Sequence, residues 1–241
     1  PPAPPATPVS PVTAATPATP AEDFGVSLWR PLLIVGFGTA VASFIYEIAW
    51  IRMLSLVLGS ATHSFELMLS AFIFGLALGA LWIRWRADAI ANPVRSLGII
   101  QWTMGVLAVA TLPLYMASFG WVAGILETVQ QNERGYQVFL AFRYAIALLI
   151  MLPATFCAGM TLPLITKVLM HRGGERAIGA DYAVNTVGSI AGVVLAGLVL
   201  MPLIGLKGLV ILGAAIDILL AVWLLRRVAP RSAPPANATP L

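Results

Sequence analysis

The sequence predicts an all-α membrane protein: six transmembrane helices in one bundle, with a Pro-rich extended arm at each end. Two observations carry that expectation. Hydrophobic residues make up 59% of the 241-residue chain and charged residues only 10%, with a mean hydropathy of +0.91. A soluble domain holds about 25% charged residues, so lipid is the expected solvent for most of this chain and its first partner. The apolar residues also fall in continuous runs of spanning length, not in the in–out alternation of a transmembrane barrel strand.

Residues 1–28 open with PPAPPATPVSPVTAATPATPAED, a low-complexity run of Pro, Ala and Thr that has little to bury. It reads as an extended, polyproline-like cytoplasmic arm. Residues 228–241, ending APRSAPPANATPL, repeat that character. Between them residues 29–227 form the membrane domain. Six spans of roughly 20 residues are expected, at about Pro31–Leu58, Phe65–Trp85, Leu97–Trp121, Val138–Met160, Tyr182–Ile204 and Leu209–Leu225. The first is over-long, which implies tilt or an interfacial continuation past Trp50. Thr161–Met170 is too short to cross again, and Pro163 predicts a break followed by an interfacial extension of the fourth helix. Pro113, Pro153 and Pro202 predict kinks. Gly75 with Gly79, and Gly188 with Gly192 and Gly197 beyond, have the small-residue spacing that lets helix backbones approach closely.

Orientation follows from the cations. Arg84, Arg86 and Arg95 flank the second connection, Lys167, Arg172 and Arg176 follow the fourth span, and Arg226, Arg227 and Arg231 follow the sixth. The alternate connections hold Arg52, Arg134 and Lys207. That asymmetry places both ends on the cytoplasmic side, the bacterial inner membrane being the expected location. The net charge of +4 sits in these short clusters, so no nucleic-acid partner is expected. Residues 1–23 lack the basic and apolar regions of a secretory signal. Cys157 stands alone in an apolar run and reads as a small buried thiol. There is no glycine-rich phosphate loop followed by Lys and Ser or Thr. His63 and His171 fall on opposite sides of the membrane, and His63 with Glu66 supplies too few ligands for a metal. No cofactor, no metal and no catalytic constellation are therefore expected.

The charges inside the apolar runs are the candidate functional residues, because each needs a partner or a task. Glu47 and Arg52 near the outer end of the first span, His63 and Glu66 at the start of the second, and Arg143 entering the fourth converge on one membrane depth. One reading is an interfacial set pairing Glu47 with Arg143 or Arg52 with Glu66; the other is an outward-facing cation site built from Glu47 and Glu66 and modulated by His63. Asp217 sits mid-way along the sixth span with no basic residue within a turn. It is either a functional acid or a carboxyl hydrogen-bonded to a neighbouring helix. Asp181 and Asn185, one turn apart, read as a cap and an interhelical hydrogen-bonding pair.

YEIAWIRMLSLVLGS, FIFGLALGALWIRWRAD, CAGMTLPLITKVL and GADYAVNTVGSIAGVVLAGLVLMPLIGLKG, in this order, resemble the membrane domain of the fused major-facilitator/spermidine-synthase-like family. The resemblance touches most of Phe44–Gly208 and neither arm. It implies a six-helix bundle like one half of a major-facilitator transporter, followed in many members by a cytoplasmic aminopropyltransferase domain. Glu47, Arg52, Asp181, Tyr182 and Asn185 occupy the polar positions of the family motifs. The aminopropyltransferase domain is absent from these residues, so polyamine synthesis is not assigned to them.

Three functional readings follow. The favoured expectation is a non-catalytic membrane subunit, not itself an enzyme, that docks onto other membrane-protein subunits through residues 1–28 and 228–241. The second is a transporter or binding component for a cationic solute such as a polyamine. The third is the membrane anchor of a spermidine-synthase-like enzyme.

Overall fold

The computed structural model describes residues 28–59, 62–128, 132–173 and 175–228, and among these it contains helices and no strand. Both Pro-rich arms, with the docking role expected of them, lie outside the described residues. The helices are α1 (Trp29–Leu58), α2 (Thr62–Arg86), α3 (Pro93–Thr128), α4 (Glu133–Gly173), α5 (Glu175–Val194) and α6 (Met201–Val228). A short 3₁₀ turn, Ala87–Ala89, follows α2, and a six-residue π-helical stretch, Leu195–Leu200, joins α5 to α6. Two helix starts use a side-chain cap. Asn92 accepts from the Arg95 amide at 3.1 Å with Pro93 at the first helical position, and Asn132 accepts from the Gly135 amide at 2.8 Å.

By length and apolarity, five helical stretches among the described residues suit a membrane crossing: Trp29–Leu58, Phe65–Ala89, Pro93–Thr128, Glu133–Met170 and Glu175–Val228. The expected fifth and sixth spans are thus parts of one stretch of 54 residues. Straight, it would measure about 80 Å, more than twice the ~30 Å of a hydrocarbon core. It does not run straight. Gly205 has φ 68° and ψ 178°, a conformation open essentially to glycine alone. The non-helical residue is therefore Gly205, not the neighbouring Pro202. Gly205→Ala is expected to cost about 1–3 kcal/mol, read as a loss of unfolding stability in detergent; no side-chain clash adds to it, because no neighbouring atom lies within 4 Å of the new Cβ.

Close contacts give the helix directions. Gly36 faces Asp181 and Gly192 faces Val41, so α5 runs alongside α1 in the same direction. Gly38 meets Leu220 while Tyr46 meets Gly213, so α6 runs opposite to α1. Gly98 against Leu225 and Gly105 against Ile218 make α6 antiparallel to α3 as well. Gly75 meets Thr155 and Gly79 meets Phe156, so α2 and α4 are parallel. The chain therefore doubles back between α5 and α6.

Of the glycine pairs, Gly75–Gly79 packs on α4 and Gly188–Gly192 on α1, but Gly197 faces open space. The break expected at Pro163 is absent. α4 continues through Pro153 and Pro163 to Gly173, because Leu164, Ile165, Val168 and Leu169 beyond the proline are buried against the bundle. Tertiary packing there outweighs the missing proline N–H.

The core has two parts. One gathers Val41–Leu58 residues of α1 with Met68, Tyr115, Ile146–Ala154 and Leu209; the other gathers Leu28–Val35 residues with Ile83, Leu97, Cys157, Leu164 and Leu224. Thr39, Thr155 and Asp217 are buried between the stretches that α1, α4 and α6 give to the two parts.

Candidate functional site

At one end of the bundle, α1 finishes at Leu58 with carbonyls that have no partner inside the helix. Arg143 of α4 is buried here and donates from a guanidinium nitrogen to the Leu58 carbonyl, with its charge 5.5 Å from the Phe139 ring centre. A cation at a helix C-terminus is electrostatically favoured. The Glu47–Arg143 pair expected from the sequence does not form. Glu47 lies eleven residues before Leu58 on α1, about 16 Å along the axis. It is half-buried, with no hydrogen bond or ion pair to a described residue. Arg52 is exposed on the face that carries Leu56 and makes no ion pair with Glu66. Glu66 is exposed near the start of α2. The side chain of His63 lies outside the described residues. Neither of the two expected pairs, Glu47 with Arg143 or Arg52 with Glu66, is thus present among the described residues.

Midway along α6, Asp217 is fully buried and accepts a 2.8 Å hydrogen bond from the Tyr46 hydroxyl. The Tyr46 ring fits where α6 has Gly213 and stacks on Trp50 at 5.2 Å. Trp50 donates from Nε1 to Thr111 Oγ1 at 3.1 Å, and Thr111 in turn donates to the Ala108 carbonyl at 2.6 Å. One polar chain therefore ties α6 to α1 and α1 to α3. Gln101 of α3 adds a second tie by donating to Thr39 of α1. Asp217 Oδ1 has no hydrogen-bond partner among the described residues.

Near the start of α5, Asp181 is also fully buried. Its Oδ2 accepts a 2.6 Å hydrogen bond from Thr166 of α4, and its Oδ1 has no described partner. α5 begins at Glu175, so Asp181 is not a cap; the interhelical bond is the one it makes. Asn185, one turn further on, lines a cavity of about 310 Å³ between α1, α2, α4 and α5, together with Thr39, Ser43, Thr161, Tyr182 and Ser189. Lys167, next to Thr166, is held by Asp88 at 2.7 Å. No group of three or more His, Cys, Asp or Glu among the described residues could hold a metal ion.

Sequence reasoning passed over Tyr46, Thr39, Gln101 and Thr166, each of which partners a buried polar group here. A signal existed for Tyr46: it lies four residues before Trp50, so two aromatic side chains with polar tips share one face of α1.

Comparison with known proteins adds one likeness. The chain is 24% identical, over 209 residues, to Polyamine aminopropyltransferase 1 of Streptomyces coelicolor. The match takes in 81% of this chain and 34% of that protein, so the chain spans about a third of the length of the curated relative it matches. No family model matches the chain, and no solved structure matches it. The likeness overturns the expectation of a non-catalytic, non-enzyme subunit, because the relative's name is that of an enzyme and points towards enzymatic function.

Proposed function

We propose that this chain is the membrane-embedded part of an aminopropyltransferase-type enzyme acting on polyamines. The observation that carries the reading is the extent of the likeness. A match over 81% of the chain necessarily takes in most of the helical bundle, and the relative that it matches carries the name of an enzyme. In this reading the bundle holds the enzyme at the bacterial inner membrane and gives it a membrane-side surface for its amine substrate.

The proposed bundle crosses the membrane six times, like one half of a major-facilitator transporter, with both arms cytoplasmic. Supporting this are the reversal at Gly205, the alternating helix directions and the clustering of Arg84, Arg86, Lys167, Arg226 and Arg227 at the ends of α2, α4 and α6. The test uses membranes from cells that make the protein from its own gene and from cells that lack the gene. Membranes with the protein are expected to transfer an isotopically labelled aminopropyl group to a polyamine acceptor, and membranes without it to lose that transfer. Equal rates in the two preparations would overturn the reading.

A further inference from the structure

Three arginines meet at one end of a groove on α1. We propose that this groove holds an acidic glycerophospholipid of the surrounding membrane, its phosphate on Arg30, Arg176 and Arg227 and its acyl chains along α1. The inference rests on the reading of the bundle as membrane-spanning and is independent of the aminopropyltransferase reading.

The groove follows from how α1 is covered. Gly36 faces Asp181 of α5, and Gly38 meets Leu220 of α6. Successive residues on a helix are about 100° apart, so the Phe37 side chain points between those two contacts. Phe37 is 39% exposed and Ile34 52%. Arg30, a further turn back, is exposed as well, and the three positions share one helix face. α5 and α6 each pack on α1 and scarcely on each other. They are joined at the far end, through Leu195–Leu200 and the reversal at Gly205. α1 is therefore the floor of a groove that α5 and α6 wall.

Register brings the arginines to one level at its mouth. Arg30 lies eight residues before Gly38, and Arg227 lies seven after Leu220 on the antiparallel α6, about 12 and 10 Å along the axes. Arg30 lies six residues before Gly36, and Arg176 five before Asp181 on the parallel α5, about 9 and 8 Å. The faces agree. Arg227 shares the Leu220 face of α6 and holds its charge 4.5 Å from the Trp223 ring centre. On α5, Gly188 and Gly192 press on α1, while Asn185 and Ser189 turn to the cavity that α2 and α4 also line. Arg176 and Val187, both exposed and about three turns apart on one face, take the opposite flank.

Charge selects the occupant. No ion pair joins the three arginines to an acid among the described residues. Asp181 is bonded to Thr166 instead, which leaves three arginines against Glu175 alone at this rim. Guanidinium groups offer paired N–H donors that match phosphate oxygens. Basic pockets between membrane helices suit acidic headgroups, and here exposed Ile34 and Phe37 add an apolar floor that a free anion would not use.

The test is native mass spectrometry of the full-length protein released from micelles that hold equal amounts of phosphatidylglycerol and phosphatidylcholine with the same acyl chains. Preferential retention of phosphatidylglycerol is expected. Its affinity should fall about fivefold for each of Arg30→Gln, Arg176→Gln and Arg227→Gln. Arg95→Gln removes an exposed cation at the same end but on α3, and should change nothing. Ile34→Trp, which fills the floor and keeps all three charges, is expected to weaken retention too. Equal retention of the two lipids, or a preference that survives the triple arginine substitution, would overturn the proposal. So would full displacement of the lipid by inorganic phosphate, because the site would then be one for a free anion. Retention that appears only once residues 1–27 are removed would overturn it as well, placing the chain's own Glu22 and Asp23 on the arginines.

Discussion

Tyr46→Phe is expected to destabilise the bundle by about 2 kcal/mol, measured by unfolding in mixed detergent micelles. The hydroxyl it removes is the described partner of Asp217, a residue with no solvent exposure. Leaving a buried polar group without a partner costs about 1–3 kcal/mol, more for a charged group. Hydrogen bonds in membrane proteins average only about 0.6 kcal/mol in mutant cycles, because the unfolded chain in the membrane also finds partners. The carboxyl has no such escape in the folded bundle, so the upper range applies. Asp217→Leu is expected to cost less, about 1 kcal/mol, since it strands only the neutral Tyr46 hydroxyl. The double variant Tyr46→Phe/Asp217→Leu strands nothing and should lie within about 1 kcal/mol of the natural protein. Additive losses in that cycle would mean the two residues contribute through packing and not through their bond.

The same pair shows how far the sequence could be read. Composition and run length alone identify a chain of helices long and apolar enough to cross a membrane, because lipid would force backbone bonds inside each apolar segment. Asp217 was conspicuous as a lone acid in an apolar run, yet its partner sits 171 positions earlier on α1, beyond any local pattern. Arg143 was equally visible, but one partner it has is the backbone carbonyl of Leu58, and backbone acceptors leave no trace in residue identity. Pro163 misled for a different reason. Its intrinsic penalty is local, whereas the burial of Leu164, Ile165 and Leu169 that carries α4 onward is tertiary. Gly205 was passed over because a glycine among Pro202, Gly208 and apolar neighbours gives no sign that it alone takes positive φ. The cavity was least visible. Its lining comes from four helices, and of its polar residues the sequence had marked Asn185 and Tyr182.

The α2–α4 contact should be the most sensitive place in the bundle to an added methyl group. Gly79→Ala is expected to cost about 3 kcal/mol, at the upper end of the usual overpacking range. The new Cβ would collide with the Phe156 carbonyl oxygen and stand 2.9 Å from its carbon and 3.2 Å from the Gly159 Cα. Those are backbone atoms, which cannot rotate aside as a side chain would, so α2 and α4 must separate. Gly159→Ala meets the mirror-image obstacle in the backbone of Leu76. Separation is costly here because helices in lipid have no hydrophobic drive to hold them and depend on close van der Waals contact. Gly120→Ala on α3 isolates that effect from helix propensity. No atom lies within 4 Å of its Cβ, so alanine there should be neutral or stabilising by about 0.5–1 kcal/mol. Opposite signs at Gly79 and Gly120, read in the same unfolding assay, mean that close approach decides which glycines this bundle requires. A loss at Gly120 as large as at Gly79 would show that close approach is not what decides which glycines the bundle requires.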